Sequence, residues 1–156
     1  LKYAHDHGCT WDENTCIQAA EQGQLACLQY AHEQGCVWGV QTLRAAVQYG
    51  HTDVVQYLVD SGCPCDSSVC AAAAQHGQLK CLAILHQRGV EWNEITCERA
   101  ATFNQIDCLM YAHENGCPWK ARRASYPTQR VNDYVLEVRK SQRSGRFSDK
   151  HKCNIM

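Results

Sequence analysis

Glycine recurs along this chain with a constant period of 27 residues. One series has five members and a second has three: Gly8, Gly35, Gly62, Gly89 and Gly116, and Gly23, Gly50 and Gly77. Alanine, tyrosine and tryptophan positions repeat with the same step, so the chain is made of copies of one supersecondary unit. Such copies predict a solenoid, in which each unit buries its apolar side against its neighbours.

Each copy reads as two short helices. In the first complete copy, Asp12 is a typical N-cap residue and Gly23 a typical helix end, because glycine adopts the left-handed conformation at low cost. A second helix is expected from about Leu25 to Gln34. Neither helix is long enough to be stable alone in water, which predicts an all-α, helix-turn-helix repeat solenoid. We divide residues 1–119 into a partial unit at 1–8 and units one to four at about 9–35, 36–62, 63–89 and 90–116.

The clearest family match lies at residues 50–62, which read Gly-His-Thr-Asp-Val-Val-Gln-Tyr-Leu-Val-Asp-Ser-Gly. With its Gly-His turn and its Val-Val-x-x-Leu second helix, this segment resembles the ankyrin repeat. Alanine pairs before the glycine turns, such as Ala19-Ala20, extend the resemblance over residues 1–119. The usual ankyrin period is about 33 residues. The residues missing here fall where the family places a projecting β-hairpin, so we expect short turns built on Gly-Cys-x-Trp segments instead.

The resemblance implies that the protein binds a protein partner through the concave side of its first helices. The residues expected on that side are Glu13, Gln18, Glu21, Gln48, Gln75, Glu94 and Arg99. Residues 1–119 hold 5 basic and 13 acidic residues, a formal net charge of −8, and such an acidic body suits a basic partner. The sequence has no glycine-rich phosphate loop and no clustered catalytic carboxylates, so we expect neither enzymatic activity nor a cofactor.

Twelve cysteines raise the question of a metal site or of disulfide bonds. Most of them share three registers of the repeat: Cys9, Cys36, Cys63 and Cys117; Cys27, Cys81 and Cys108; Cys16, Cys70 and Cys97. The same registers also hold Val90, Val54 and Leu43, and a position that accepts valine or leucine suits free cysteine, which behaves as a small hydrophobe. We therefore expect buried structural thiols. A zinc site is not expected without a Cys-x-x-Cys pair, nor are disulfides in an intracellular protein.

Histidine and tryptophan each occupy one register as well: His5, His32, His86 and His113, and Trp11, Trp38, Trp92 and Trp119. The histidines fall near the ends of the second helices, where an imidazole can bond a free carbonyl and suits the negative helix end. A catalytic Cys–His pair would recur in every unit, as a scaffold feature does. For the tryptophans two interpretations stay open. They either pack over the next unit or serve as aromatic anchors on the binding edge.

The repeat pattern stops at Trp119, and the sign of the charge changes there. Residues 120–156 hold 10 basic and 3 acidic residues, a formal net charge of +7. The spacing of Val131, Tyr134, Val135 and Val138 predicts one amphipathic helix over about 128–143, within a segment at 120–145 that caps the stack. Four basic residues make one side of this helix positive: Arg130, Arg139, Lys140 and Arg143. Residues 146–156 are expected to form a flexible basic tail.

The chain finishes Cys153-Asn154-Ile155-Met156, which resembles a prenylation box whose final methionine favours farnesyl on Cys153. Four residues would supply the basic second signal that a single lipid chain needs at an anionic membrane surface: Arg143, Arg146, Lys150 and Lys152. No apolar run is long enough to span a bilayer. The chain begins at Leu1 rather than at methionine, so we expect it to be the C-terminal piece of a longer protein.

Two functions follow from the sequence. The first is a non-enzymatic scaffold for another protein, placed in the cytoplasm or at the cytoplasmic face of a membrane by its farnesylated tail. The alternative is a structural subunit of a large assembly, in which the basic tail docks on protein or nucleic acid. Nucleic acid is not the partner expected under the first hypothesis.

Overall fold

The computed structural model describes residues 12–121 and 125–143. Over these two ranges the chain forms nine helices and no β-strand. The helices are α1 (Glu13–Glu21), α2 (Leu25–Glu33), α3 (Val40–Tyr49), α4 (Thr52–Asp60), α5 (Ser67–Gln75), α6 (Leu79–Gln87), α7 (Glu94–Thr102), α8 (Ile106–Glu114) and α9 (Gln129–Arg143). The first eight alternate as the first and second helices of units one to four. The predicted all-α repeat solenoid is confirmed, and its units are joined by short turns.

Side chains at the N-cap positions begin three of the four first helices. A side-chain oxygen of Asp12 accepts from the Thr15 backbone N–H at 3.2 Å. Asp66 and Asn93 do the same two units and three units later, with backbone donors at 2.9 and 3.0 Å. Gly39 holds the fourth position and has no side chain to offer. These bonds satisfy donors that the helix itself leaves open, as predicted for these residue types.

A glycine after each of the first three first helices makes room for the following unit. Gly23, Gly50 and Gly77 adopt φ angles of 66, 78 and 71°. A Cβ atom added at any of them would overlap the side chain of the residue 28 positions later, which is His51, Gln78 or Gln105. His51 Nε2 lies 2.9 Å from the Glu21 carbonyl oxygen, and Gln78 Nε2 donates to the Gln48 carbonyl oxygen at 3.3 Å. Units two and three thereby complete the last turn of the first helix before them.

Small residues set the spacing of the stack. Ala20, Ala46, Ala73 and Ala100 have no exposed surface, and neighbouring first helices pack more closely than neighbouring second helices. Leucine and valine fill the wider space between second helices, where Leu28, Leu58, Leu82, Leu85 and Leu109 are fully buried. Because the first helices are closer together, the stack curves toward them, and they line its concave side.

The predicted burial is confirmed for the described cysteines of the three registers, with Cys27 as a half-buried exception, and Cys9 lies outside the described residues. Burial raises the pKa of the Cys70 thiol to about 12 and that of Cys81 to about 11, so both stay protonated. Cys16 Sγ and Cys36 Sγ lie 3.0 Å apart as free thiols. Within the described residues, no three His, Cys, Asp or Glu side chains are grouped so that they could hold a metal ion.

Three of the turn cysteines also tie the segment that follows a unit to the N-cap of that unit. The thiols of Cys36, Cys63 and Cys117 donate to the backbone carbonyls of Asp12, Gly39 and Asn93, at 3.0, 3.4 and 3.1 Å. Each acceptor is the N-cap residue 24 positions earlier. The thiol is therefore a small hydrophobe that also supplies a weak donor, a combination that valine at position 90 lacks.

The last helix covers the end of the stack. Val131, Val135 and Val138 of α9 are buried in the common core, as predicted, and Tyr134 packs beside them. Of the predicted basic side, Arg139 instead turns back and donates from Nε to the Ala121 carbonyl oxygen at 3.0 Å. The Arg143 side chain, Gly145 and the tail at 146–156, including Cys153, lie outside the described residues. None of the helices described is both long and apolar enough to cross a bilayer.

We expect Thr42→Val and Thr96→Val each to raise the free energy of unfolding by about 1 kcal/mol. Both hydroxyls are fully buried and have no hydrogen-bond partner among the described residues, and Val69 already occupies the same register in unit three. Urea denaturation of the full chain would measure the change. Thr15→Val is the matched control, because the Thr15 hydroxyl is half-buried and lies 3.5 Å from an Asp12 carboxylate oxygen. A loss of stability in the first two variants would contradict this account.

Candidate functional site

The first helices α1, α3, α5 and α7 leave one side open along the concave surface, which we call the first-helix face. The seven residues predicted as contacts lie in rows that follow the period of 27 residues. Five of them are exposed and two are half-buried: Glu13, Gln18, Gln48, Glu94 and Arg99, and Glu21 and Gln75. All seven are accessible to some degree, and their contact with a partner stays a prediction.

The structure brings two pairs of these residues together. Gln18 Nε2 donates to Glu21 Oε2 at 3.2 Å on α1. Arg99 Nη1 donates to Gln75 Oε1 at 3.2 Å, which joins unit four to unit three. The first pair lies in unit one and the second spans units three and four, so the seven residues form no single compact site. They are spread along the stack, as the contacts of a repeat protein usually are.

A groove lies over α5, the first helix of unit three, and we call it the α5 groove. Its volume is about 240 Å³, and its floor consists of short side chains. Arg44 reaches it from unit two and Arg99 from unit four, one on each side of α5. Its lining residues are Arg44, Ser67, Ser68, Ala71, Ala72, Gln75, Asn93, Ile95 and Arg99. The groove thus combines two guanidinium groups, polar side chains and a floor that a ligand can approach closely.

Seven of the nine lining residues were not among the predicted contacts, and Arg44 and Ile95 are the two that matter for ligand chemistry. Arg44 shares its register with Ala71 and lies one position before the register of Arg99. Ile95 is an exposed apolar residue, with 51% of its surface accessible. The signal for Arg44 was present, because Arg44 and Arg99 are the only basic residues within the four first helices. Net charge over the whole body concealed this local feature.

The carboxylates nearest the α5 groove already have protein partners. Asp66 caps α5, and its hydrogen bonds to Ser68 keep the pKa of its carboxyl below the ordinary value. Glu98 Oε2 accepts from Trp119 Nε1 at 3.4 Å and from the Tyr126 hydroxyl at 3.1 Å, toward the capping helix. Arg44 makes neither a hydrogen bond nor an ion pair within the described part of the chain, but its positive charge also contributes to the lowered pKa of the Asp66 carboxyl. The groove is therefore a basic spot on an otherwise acidic face.

The tryptophan register packs within the stack. Trp38 and Trp119 are 8% and 6% exposed, and Trp92 is half-buried. His32 stacks on Trp38 with ring centroids 3.5 Å apart, and His86 stacks on Trp92 at 4.0 Å. Of the two interpretations, packing over the next unit therefore fits the described tryptophans, and anchors on a binding edge do not. Trp11 lies outside the described residues.

The histidines bond a different group from the one expected. His86 Nδ1 and the Tyr111 hydroxyl share a hydrogen bond of 3.2 Å, and His113 Nδ1 and the Tyr134 hydroxyl share one of 3.0 Å. The partner is thus a tyrosine of the next unit or of the capping helix, not a free helix carbonyl. Each of these histidines connects two consecutive layers of the stack. This role is structural, since burial lowers the pKa of both imidazoles and disfavours their charged form.

Comparison with known families finds a match in the middle of the stack. The family model described as the ankyrin repeat matches residues 43–71, which run from α3 through α4 into α5. The same pattern of helix pairs repeats on both sides of the matched segment. No curated protein matches the chain.

Stability should fall as the pH drops from about 7.5 to about 5. A histidine whose pKa is lowered by folding binds fewer protons in the folded state, so its contribution is complete above the unfolded pKa of about 6.5 and is lost below it. His86 and His113 are such groups, and Glu114 partly opposes the shift at His113. The urea midpoint, measured across this range, would report the loss.

His86→Val should reduce the pH dependence, because unit two carries Val59 in the same register. His76→Val is the matched control for removal of a histidine, since His76 is exposed at the end of α5, and it should change the slope less than His86→Val does. Hydrogen bonds lower the pKa of the Asp12 and Asp66 carboxyls, so their contribution is lost only below the ordinary aspartate pKa of about 3.9, outside this pH range. An equal slope in wild type and His86→Val would contradict the assignment.

Proposed function

We propose that this ankyrin-like repeat protein is a non-enzymatic scaffold that binds another protein across its first-helix face. The ankyrin repeat at residues 43–71 supports a role in protein–protein interaction. The observation that carries the proposal is the α5 groove, because side chains of three consecutive units line it on the concave side. Such a surface exists only when the units are stacked, which is how repeat proteins build extended binding sites.

The face is held in place before any partner arrives. Backbone carbonyls at the ends of α1 and α3 are bonded by His51 and Gln78 of the following units. The pairs Gln18–Glu21 and Gln75–Arg99 fix exposed side chains as well. Less conformational entropy is then lost on binding, which favours affinity. The seven predicted residues are the proposed contacts, with Arg44 and Ile95 added to them.

The chemistry of the described cysteines supports a role without catalysis. A nucleophilic mechanism needs a thiolate, and burial raises the pKa of Cys63, Cys70 and Cys108 to about 12. The half-buried histidines His86 and His113 bond tyrosine hydroxyls. These three cysteines and two histidines therefore serve the stack.

A membrane tether is the second part of the proposal, and the sequence alone supports it. Farnesyl on Cys153 would act together with the basic residues 146–152, since a single lipid chain gives only marginal membrane binding. In the alternative function the same basic tail docks on a protein or nucleic acid within an assembly. A tail held only by phosphate groups is released steeply as salt rises, whereas an assembly subunit remains bound.

A photo-cross-linking amino acid at Gln48 should capture a discrete protein in cells, and one at Gln87 should not. Both positions are exposed glutamines, but Gln48 lies on the first-helix face and Gln87 on the second helix α6. Charge reversal at Glu13, Glu21 and Glu94 should weaken the adduct if the partner is basic at those positions. Capture from Gln87, or from neither position, would contradict the proposed binding face.

The tether is tested by the mass of the C-terminal peptide from cells that prenylate proteins. We expect a farnesyl group on Cys153 and removal of the last three residues. Cys153→Ser is the control, and it should lose both the added mass and the membrane-bound fraction. A peptide that ends unmodified at Met156, or a chain that continues past it, would rule out the tether.

A further inference from the structure

We infer that the α5 groove binds an extended acidic segment of the partner protein, with Arg44 and Arg99 as the groups that hold its carboxylates. This inference rests on the proposed function, because it names the chemistry of the partner at the same face. The whole-body charge of −8 pointed to a basic partner. Locally the groove carries the opposite sign, and contact chemistry is decided locally because charges beyond a Debye length of about 10 Å are screened.

The two arginines stand on opposite sides of one helix. Arg44 comes from α3 and Arg99 from α7, and α5 runs between them. The bond from Arg99 Nη1 to Gln75 Oε1 orients that guanidinium and uses one of its five donors. A guanidinium matches a carboxylate with two parallel hydrogen bonds, which a lysine cannot offer. The arrangement therefore selects planar anionic groups that approach α5 from the concave side.

The floor of the groove favours an extended backbone. Ser67, Ser68, Ala71 and Ala72 present only short side chains, so a ligand's main chain can come close to α5. The nine residues of α5 span about 13 Å, which corresponds to about four residues of extended chain. A helical ligand, with a diameter of about 10 Å, would rest on the arginines rather than reach this floor.

Three carboxylates lie near the groove, and two of them make named contacts. Asp66 bonds the start of α5 and also interacts electrostatically with Arg44, and Glu98 bonds Trp119 and Tyr126 of the capping region. Arg88 lies outside the groove and forms an ion pair with Asp60, so it can serve as a control arginine. Glu94 stands exposed beside the groove residues Asn93 and Ile95. Its charge opposes an acidic ligand, which gives a variant with an effect of opposite sign.

The experiment measures binding of the full chain to three labelled nonapeptides by fluorescence anisotropy. They alternate glycine with glutamate, glutamine or lysine. We expect the glutamate peptide to bind more tightly than the glutamine peptide, with an affinity that decreases as salt is added. Arg44→Gln and Arg99→Gln should each weaken it about tenfold, which is the effect of about 1.4 kcal/mol. Arg88→Gln changes the net charge equally and should leave the affinity within about twofold.

Glu94→Gln provides a gain that a misfolded variant could not give, with an expected rise in affinity of about twofold to threefold. Two outcomes would overturn the inference: equal weakening by Arg88→Gln and Arg44→Gln, or glutamate binding no tighter than glutamine up to about 1 mM peptide. The inference would also be overturned if the lysine peptide bound instead and if that binding were lost on charge reversal at Glu13, Glu21 and Glu94. That last result would keep the proposed binding face and assign it a basic partner.

Discussion

Contact between alanine-sized surfaces of neighbouring first helices is the constraint on which the rest of this structure depends. Ala20, Ala46, Ala73 and Ala100 are fully buried at equivalent positions, and a larger residue there would push the units apart. Close first helices and more distant second helices make the stack curve. The same closeness brings a side chain of each unit over the glycine of the preceding one, where it completes an open helix end. Curvature, unit spacing and helix termination therefore share one cause.

Short turns have a second effect on the surface. In the usual longer repeat a hairpin would project beside the first helices. Here the short turns stay close to the stack because their own cysteine and tryptophan side chains pack against it. Cys36, Cys63 and Cys117 bond N-cap carbonyls, and Trp38 and Trp119 are buried. The first helices therefore form most of the concave surface. This is why an arginine on either side of α5 is sufficient to define a groove.

Much of the fold could be predicted from the sequence because it depends on local chemistry repeated at one period. Asp12, Gly23 and the valines of α9 indicated helix starts, helix ends and a capping helix, and all three are confirmed. The histidine partners could not be predicted, since His86 and Tyr111 are 25 residues apart and meet only when units stack. The α5 groove was missed for a related reason. Arg44 and Arg99 belong to different registers of different units, and only the stacked structure places both beside α5. Residues 146–156 have no repeat to constrain them.

The two bonds that complete the ends of first helices run in the same direction along the chain. His51 and Gln78 reach back to carbonyls of the unit before them, so each helix end depends on its successor. The array therefore has a polarity, because a later unit completes the helix end of the unit before it. A later unit stripped of its predecessor keeps a side chain that water can solvate at little cost. An earlier unit that lacks its successor exposes a helix end whose carbonyls have no partner.

The C-terminal end of the stack is consequently the end that needs a capping element. There Thr128, next to the start of α9, bonds Asn104, which stands in the place of the fourth turn glycine. Growth of such an array by duplication of a 27-residue block would preserve every one of these contacts, as long as the block is inserted ahead of that capping element.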